Sequence, residues 1–144
     1  MAYALSISQP SAADLDIIHP FLEASYWSPG IPRPIVERSC ANSICILARE
    51  AGGALIGFAR LITDKATFAY LCDVFVLPAH QGRGIARNMI HTLRSQPDLQ
   101  GFKRWVLGTR DAHGVYASVG FVPLGNPERF MEIRDMNPYG KGAV

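Results

Sequence analysis

Apolar side chains recur along this chain with two different periods, and the switches between them mark out its elements. Tyr3, Leu5 and Ile7 alternate with small or polar neighbours up to Ser8, the period of a half-buried strand. After Pro10 the spacing lengthens. Leu15, Ile18, Phe21 and Leu22 share one face of a helix that fades near Ser25, and Ser11 with Asp14 three residues on is an acidic relative of a capping box. A proline- and glycine-rich loop from Tyr26 to Pro34 precedes a short helix over Ile35–Ala41. Ile44–Ala48 and Ala54–Ile62 are predicted strands joined by a turn at Ala51-Gly52-Gly53, and Ala66–Leu77 is the fourth and longest. Ile85, Met89 and Leu93 then return to helical spacing, with Ala86 and Ile90 beside them. Beyond a loop at Ser95–Gly101, Arg104–Leu107 is a fifth strand. Asp111 is placed to cap a short helix through Val119. Phe121–Leu124 and Phe130–Arg134 are the expected arms of a last hairpin around Gly125-Asn126-Pro127.

This order predicts an α+β (mixed α/β) fold, with a central mixed sheet of about six to seven strands flanked by helices on both faces. At 144 residues one domain suffices, over residues 1–137, with a flexible tail over 138–144. No internal repeat or linker interrupts the pattern.

Charge and cysteine usage narrow the function classes. A net charge of +2 is too small for a nucleic-acid-binding surface, and no helix-turn-helix, zinc-finger or RNA-binding signature is present. The N-terminal stretch lacks a basic segment followed by a long apolar core, and no apolar run reaches membrane-spanning length, so a cytoplasmic protein with no membrane partner is expected. Cys40, Cys45 and Cys72 are odd in number and lack the paired spacing of a metal site or redox dithiol; they are expected as reduced core residues, with no metal.

The candidate chemistry gathers between Asp73 and Arg94. The apolar run Val74, Phe75, Val76, Leu77 stops at Pro78, and Gln81-Gly82-Arg83-Gly84 then opens the amphipathic helix at Ile85. The first turn of a helix has four amides without partners and the positive end of the macrodipole. Glycine lets a ligand's phosphates approach that backbone, and Arg83 and Arg87 add charge beside it.

Gln81-x-x-Gly84-x-Ala86 after a strand ending Val74-x-Val76-x-Pro78, together with Val115-Tyr116-x-x-x-Gly120-Phe121 downstream, resembles the GNAT superfamily of acyl-CoA-dependent N-acetyltransferases over nearly the whole chain. The resemblance implies acetyl-CoA (coenzyme A) as co-substrate, an amine substrate as partner, and room for a homodimer. It implies that the backbone of Val74, Phe75 and Val76 hydrogen-bonds pantetheine and the acetyl carbonyl. It also implies that Gln81, Gly82, Arg83, Gly84, Ile85, Ala86 and Arg87 hold the pyrophosphate. Ala86 stands where glycine is commoner. Thr109 stands where asparagine is common, and keeps a hydroxyl for the cofactor or a water.

An amine attacking a thioester passes through a tetrahedral oxyanion and needs a hydrogen-bond donor, a base and an acid for the departing thiolate. The donor expected is an amide near Val74 or Phe75. Tyr116 matches the family tyrosine that protonates the coenzyme A sulfur; the alternative is a core aromatic under the last hairpin. Asp73, the lone carboxylate in an apolar run, is either the base or a hydrogen-bonding brace. Strand alternation places Asp73 with Leu71 and Phe75, and Tyr70 and Cys72 on the other side, unless a bulge intervenes. Tyr26, Trp27 and Tyr70 either contact the substrate or cover the core edge. His113 is a relay or an ordinary capping residue, while His80 and His91 belong to the surface. The expected reaction is direct acetyl transfer to a primary amine of a small molecule, or of a protein lysine or N-terminus, in a ternary complex. The rival is a non-catalytic acyl-CoA-binding sensor or interaction module.

Overall fold

The computed structural model describes residues 2–140. Its elements follow the predicted order: β1 (Tyr3–Ile7), α1 (Ala12–Glu23), α2 (Arg33–Ala41), β2 (Ile44–Glu50), β3 (Leu55–Thr63), β4 (Phe68–Val76), α3 (Ile85–Arg94), β5 (Arg104–Val106) and α4 (His113–Ala117). The strands form one sheet in the order β1-β2-β3-β4-β5. Neighbours are antiparallel except β4 and β5, which run parallel.

Helices cover both faces. On one, Ile85, Met89, Ile90 and Leu93 of α3 pack over Ile46, Ala48, Ile56, Leu61, Ala69 and Leu71. On the other, Ile18 and Leu22 of α1 and Val36 and Cys40 of α2 pack over Cys45, Leu47, Phe58 and Phe75. Cys40 and Cys45 are buried and all three thiols are free. The start of α1 is held as its sequence predicts: Asp14 N donates to Ser11 Oγ at 3.1 Å and Ser11 N donates to Asp14 Oδ2 at 2.9 Å. Arg49 adds two bonds to the same carboxylate, both 2.7 Å.

Two expectations change. The last hairpin does not form: among the described residues Phe121–Leu124 and Phe130–Arg134 pair with nothing as strands, and the sheet has five strands rather than six to seven. Pro123 removes a ladder donor, and Val122, Met131 and Ile133 are exposed rather than facing a core. Asp111 does not cap α4, whose N-cap is Ala112. Thr109 Oγ1 accepts from Ala112 N at 3.0 Å instead, and Asp111 pairs with Arg110 at 3.6 Å. Of the expected tail, Tyr139 packs against the α1–α2 cluster, and residues 141–144 lie outside the described residues.

Two irregularities position the site. Phe58 pairs with Phe75 and Arg60 with Cys72, so Asp73 and Val74 together oppose Ala59, a bulge in β4. Asp73 adopts φ 54° there. The extra residue reverses the alternation: Leu71 packs on the α3 face but Phe75 on the α1–α2 face, where it stacks on Phe21 with ring centroids 4.0 Å apart. Asp73 is expected to share a face with Leu71 and Phe75 unless a bulge intervenes, and here the bulge intervenes. The second irregularity is that β4–β5 pairing ends at Tyr70 opposite Val106, whereas β4 continues to Val76.

Candidate functional site

A cleft of about 940 Å³ opens where β4 and β5 part, and Tyr26, Trp27, Tyr70, Asp73, Val74, Thr109 and Tyr116 all line it. Seven residues singled out in the sequence thus converge from the α1–α2 loop, β4, the β5–α4 loop and α4. Because β5 stops short, among the described residues no strand pairs with β4 on that side beyond Tyr70, and the stretch to Val74 lines the cleft.

The aromatic wall is tied down at both ends. Trp27 Nε1 donates to Asp73 Oδ1 at 2.9 Å. Tyr26 packs edge-on against Trp27 at 5.1 Å, its hydroxyl accepts from Arg110 N at 3.0 Å, and the Arg110 guanidinium lies 3.8 Å from its ring centroid. Both aromatics therefore face the cleft rather than only covering the core edge. Burial pushes the Tyr70 hydroxyl above the ordinary tyrosine range, with Cys72 and Asp73 reinforcing this and Arg60 opposing it. Burial does the same to Tyr116, helped by Tyr26 and Asp111. Tyr116 packs edge-on against Phe121 at 6.1 Å. It therefore has an aromatic neighbour as well as a face on the cleft. His113 is exposed at the first turn of α4, and His91 is exposed on α3.

Asp73 is 7 % exposed and both its oxygens accept bonds from the scaffold: the second comes from Arg60 Nε, at 2.9 Å from Oδ2. Arg60 NH1 continues to Ser43 Oγ at 3.0 Å. Sequence reasoning missed Arg60. Its signal was a lone arginine inside the apolar run Leu55–Ile62, a position that requires a buried anion. Cys72 lies beside this pair. Burial holds its thiol at about 12, more than offsetting the pull of Arg60.

The glycine turn sits apart from the cleft, at the far end of β4. Gly82 and Gly84 adopt φ 80° and 74°, and a Cβ on either would meet nothing within 4 Å, so both hold left-handed backbone over open space. The first bond of α3 runs from Asn88 N to Gly84 O, which places the amides of Ile85, Ala86 and Arg87 ahead of the ladder. The Ile85 side chain is buried, so this residue offers only its amide. Gln81 Nε2 donates to Val76 O at 3.1 Å and fixes the turn to the strand end. Arg83 is engaged by Glu50 at 3.2 Å and His80 at 3.0 Å and lies over the Tyr3 ring, whereas Arg87 is exposed. His80 is thus part of a polar cluster with Arg83 and Glu50 rather than a bare surface residue. Among the described residues, no three His, Cys, Asp or Glu gather as metal ligands, and no helix is long and apolar enough to cross a membrane.

Residues 41–123 match the family model described as an acetyltransferase (GNAT) domain. A solved structure from Xanthomonas campestris pv. campestris, titled as belonging to the GNAT family, is 40 % identical and superposes with a TM-score of 0.86, covering 94 % of this chain and 96 % of that one. A GNAT family protein of Streptococcus pneumoniae, 21 % identical with a TM-score of 0.70 over 94 % of this chain and 98 % of its own, shares the fold. A Gibberella zeae protein carrying the name of an acetyltransferase is 30 % identical over 72 % of this chain and 70 % of its own length. Sheet, parted strands, glycine turn and these matches agree: the chain belongs to the GNAT superfamily of acetyltransferases.

Proposed function

We propose that the chain transfers the acetyl group of acetyl-CoA to a primary amine by direct attack in a ternary complex. The observation that carries this reading is the parting of β4 and β5 beyond Tyr70 and Val106, which opens a cleft lined by β4 from Tyr70 to Val74. The fit of the co-substrate rests on the left-handed glycines and free first-turn amides at the start of α3, a site built for an anion. When bound, acetyl-CoA supplies the activated acyl thioester.

The chain's own residues then divide the work. Amides of Gly82 to Arg87 hold the pyrophosphate, and Arg87 adds its charge; Arg83, tied to Glu50, steadies the turn instead. The backbone of Val74 to Val76 orients pantetheine, and one of its amides donates to the acetyl oxygen as negative charge grows there. Tyr116 gives its proton to the departing sulfur, and the proton lost by the amine restores the hydroxyl. A tyrosine hydroxyl is protonated at neutral pH, as an acid must be. Thr109 Oγ1 accepts from Ala112 N and so fixes the turn that leads into α4 and Tyr116. Tyr26, Trp27 and Tyr70 form the acceptor side.

Thiol release from acetyl-CoA across a panel of primary amines tests the proposal. Tyr116→Phe is expected to lower kcat by about 10²-fold or more, and unchanged rates would remove Tyr116 from the acid role. Tight acetyl-CoA binding by calorimetry with no thiol release from any amine would instead make the chain a sensor.

A further inference from the structure

We infer that Asp73 acts as a positioning residue that holds Trp27 as the acceptor-side wall of the cleft, with Arg60 fixing the carboxylate, and that it does not take the amine's proton. The inference rests on the transferase reading and says what its most conspicuous acid does.

The geometry carries it. One carboxylate oxygen receives the indole N–H of Trp27 at 2.9 Å and the other receives Arg60 Nε at 2.9 Å. Ser43 Oγ then anchors Arg60 from the far side at 3.0 Å. These bonds join β3, β4 and the α1–α2 loop, and Tyr26 extends the chain of contacts to Arg110 across the cleft mouth. The indole N–H can only donate, and Trp27, which is 39 % exposed, places it on Asp73 Oδ1 while Tyr26 packs edge-on against the ring. Each carboxylate oxygen is held by a fixed donor of the scaffold, one of them a guanidinium, so the group is oriented toward Trp27 and Arg60. The charged and titratable groups around the carboxylate are Arg60 from β3, Tyr70 and Cys72 from β4 and, behind them, Cys40 of α2. None of these lies on the cofactor turn.

Two arms test it, one independent of turnover. With Trp105→Phe as background, Trp27 is the sole tryptophan of the two in the chain, and its acrylamide quenching reports how firmly it is held. Asp73→Asn should raise quenching and red-shift the emission, while coenzyme A affinity by calorimetry stays at the wild-type value. Quenching unchanged in Asp73→Asn would overturn the inference whether or not any amine is turned over.

In the second arm, with 2-phenylethylamine as probe, Asp73→Asn and Trp27→Phe should each raise the acceptor KM about tenfold. The double variant should be no worse than either, and kcat and the acidic limb of its pH profile should persist. Loss of kcat by about 10²–10⁴-fold in Asp73→Asn alone, with the acidic limb abolished, would make it the base. Trp27→Phe removes one exposed donor and keeps the arm usable if Asp73→Asn fails to fold. Absence of thiol release from the wild type would count against the transferase reading alone, leaving the quenching arm to decide the role of Asp73.

Discussion

Replacing Gly84 by alanine separates what the glycine turn does for the fold from what it does for the ligand. Gly84 is the N-cap of α3 at φ 74°, and a Cβ built there meets nothing within 4 Å. No protein atom is displaced, so the cost to the fold is conformational. Left-handed backbone costs a residue with a Cβ about 1–2 kcal/mol, and the stiffer unfolded chain returns about 0.4–1 kcal/mol. The difference, about 1 kcal/mol, corresponds to a Tm lower by about 4 °C for a chain of this size. The ligand should feel more. A methyl in the open space over the turn holds phosphate away from the amides, and losing one charge-assisted hydrogen bond costs about 1.5–3 kcal/mol, or about 10–150-fold in Kd. Gly53→Ala is the matched control: φ is 94°, its Cβ is equally unobstructed, and it lies in the β2–β3 turn. Thermal melts and coenzyme A calorimetry on both variants give the answer. Equal Tm losses with weakened coenzyme A only in Gly84→Ala are expected. Equal coenzyme A affinity in the two variants would refute the assignment of the turn.

Asp14, 4 % exposed, is held below the usual carboxylate range chiefly by its hydrogen bonds to Arg49 and then by the Ser11 cap, against the opposing effect of burial. A depressed folded-state value means that this stabilisation is full above the unfolded value of 3.8 and is lost as pH falls below it. Asp14→Asn should therefore cost about 2 kcal/mol in urea melts at about pH 7 and markedly less at about pH 3; an equal loss at both would deny the ion pair its role. The Cys72 thiol lines the cleft but is pushed up to about 12 by burial, so little of it is thiolate and iodoacetamide should alkylate it slowly in the folded protein. Peptide mapping after labelling at about pH 8 checks this, and modification of Cys72 as fast as that of a free cysteine would contradict it.

Much of the fold was legible because its signals are local. Ser11 and Asp14 specify a helix start through bonds three residues apart, and the strand–glycine–helix passage from Val74 to Leu93 shows two periods and a break. Tyr116 is singled out by its distance from that turn, and it lines the cleft. What was not legible depends on partners distant in sequence. Arg60 and Trp27 lie 13 and 46 residues from Asp73, and no periodicity announces that they meet there. The bulge is equally silent, since it shows only when β4 is laid against β3. The last hairpin failed for the opposite reason: Phe121–Leu124 and Phe130–Arg134 carry strand-like residues, but no strand pairs with them and Met131 and Ile133 stand in solvent.

The bulge also explains why an aspartate stands at its position. Without the extra residue, Phe75 would share a face with Leu71 and abandon its stack on Phe21 and its contact with Phe58. With it, one residue must adopt φ 54°, which restricts the choice to glycine and to the short polar side chains that tolerate left-handed backbone. Glycine would satisfy the backbone but leave Arg60, 15 % exposed, without its anion and the Trp27 indole without its acceptor. Asparagine would keep the shape, yet its amide offers one oxygen where two donors converge. Aspartate alone meets the conformational demand, the charge and both hydrogen bonds. The same side chain that lets β4 change faces therefore also fixes the wall of the cleft beside it.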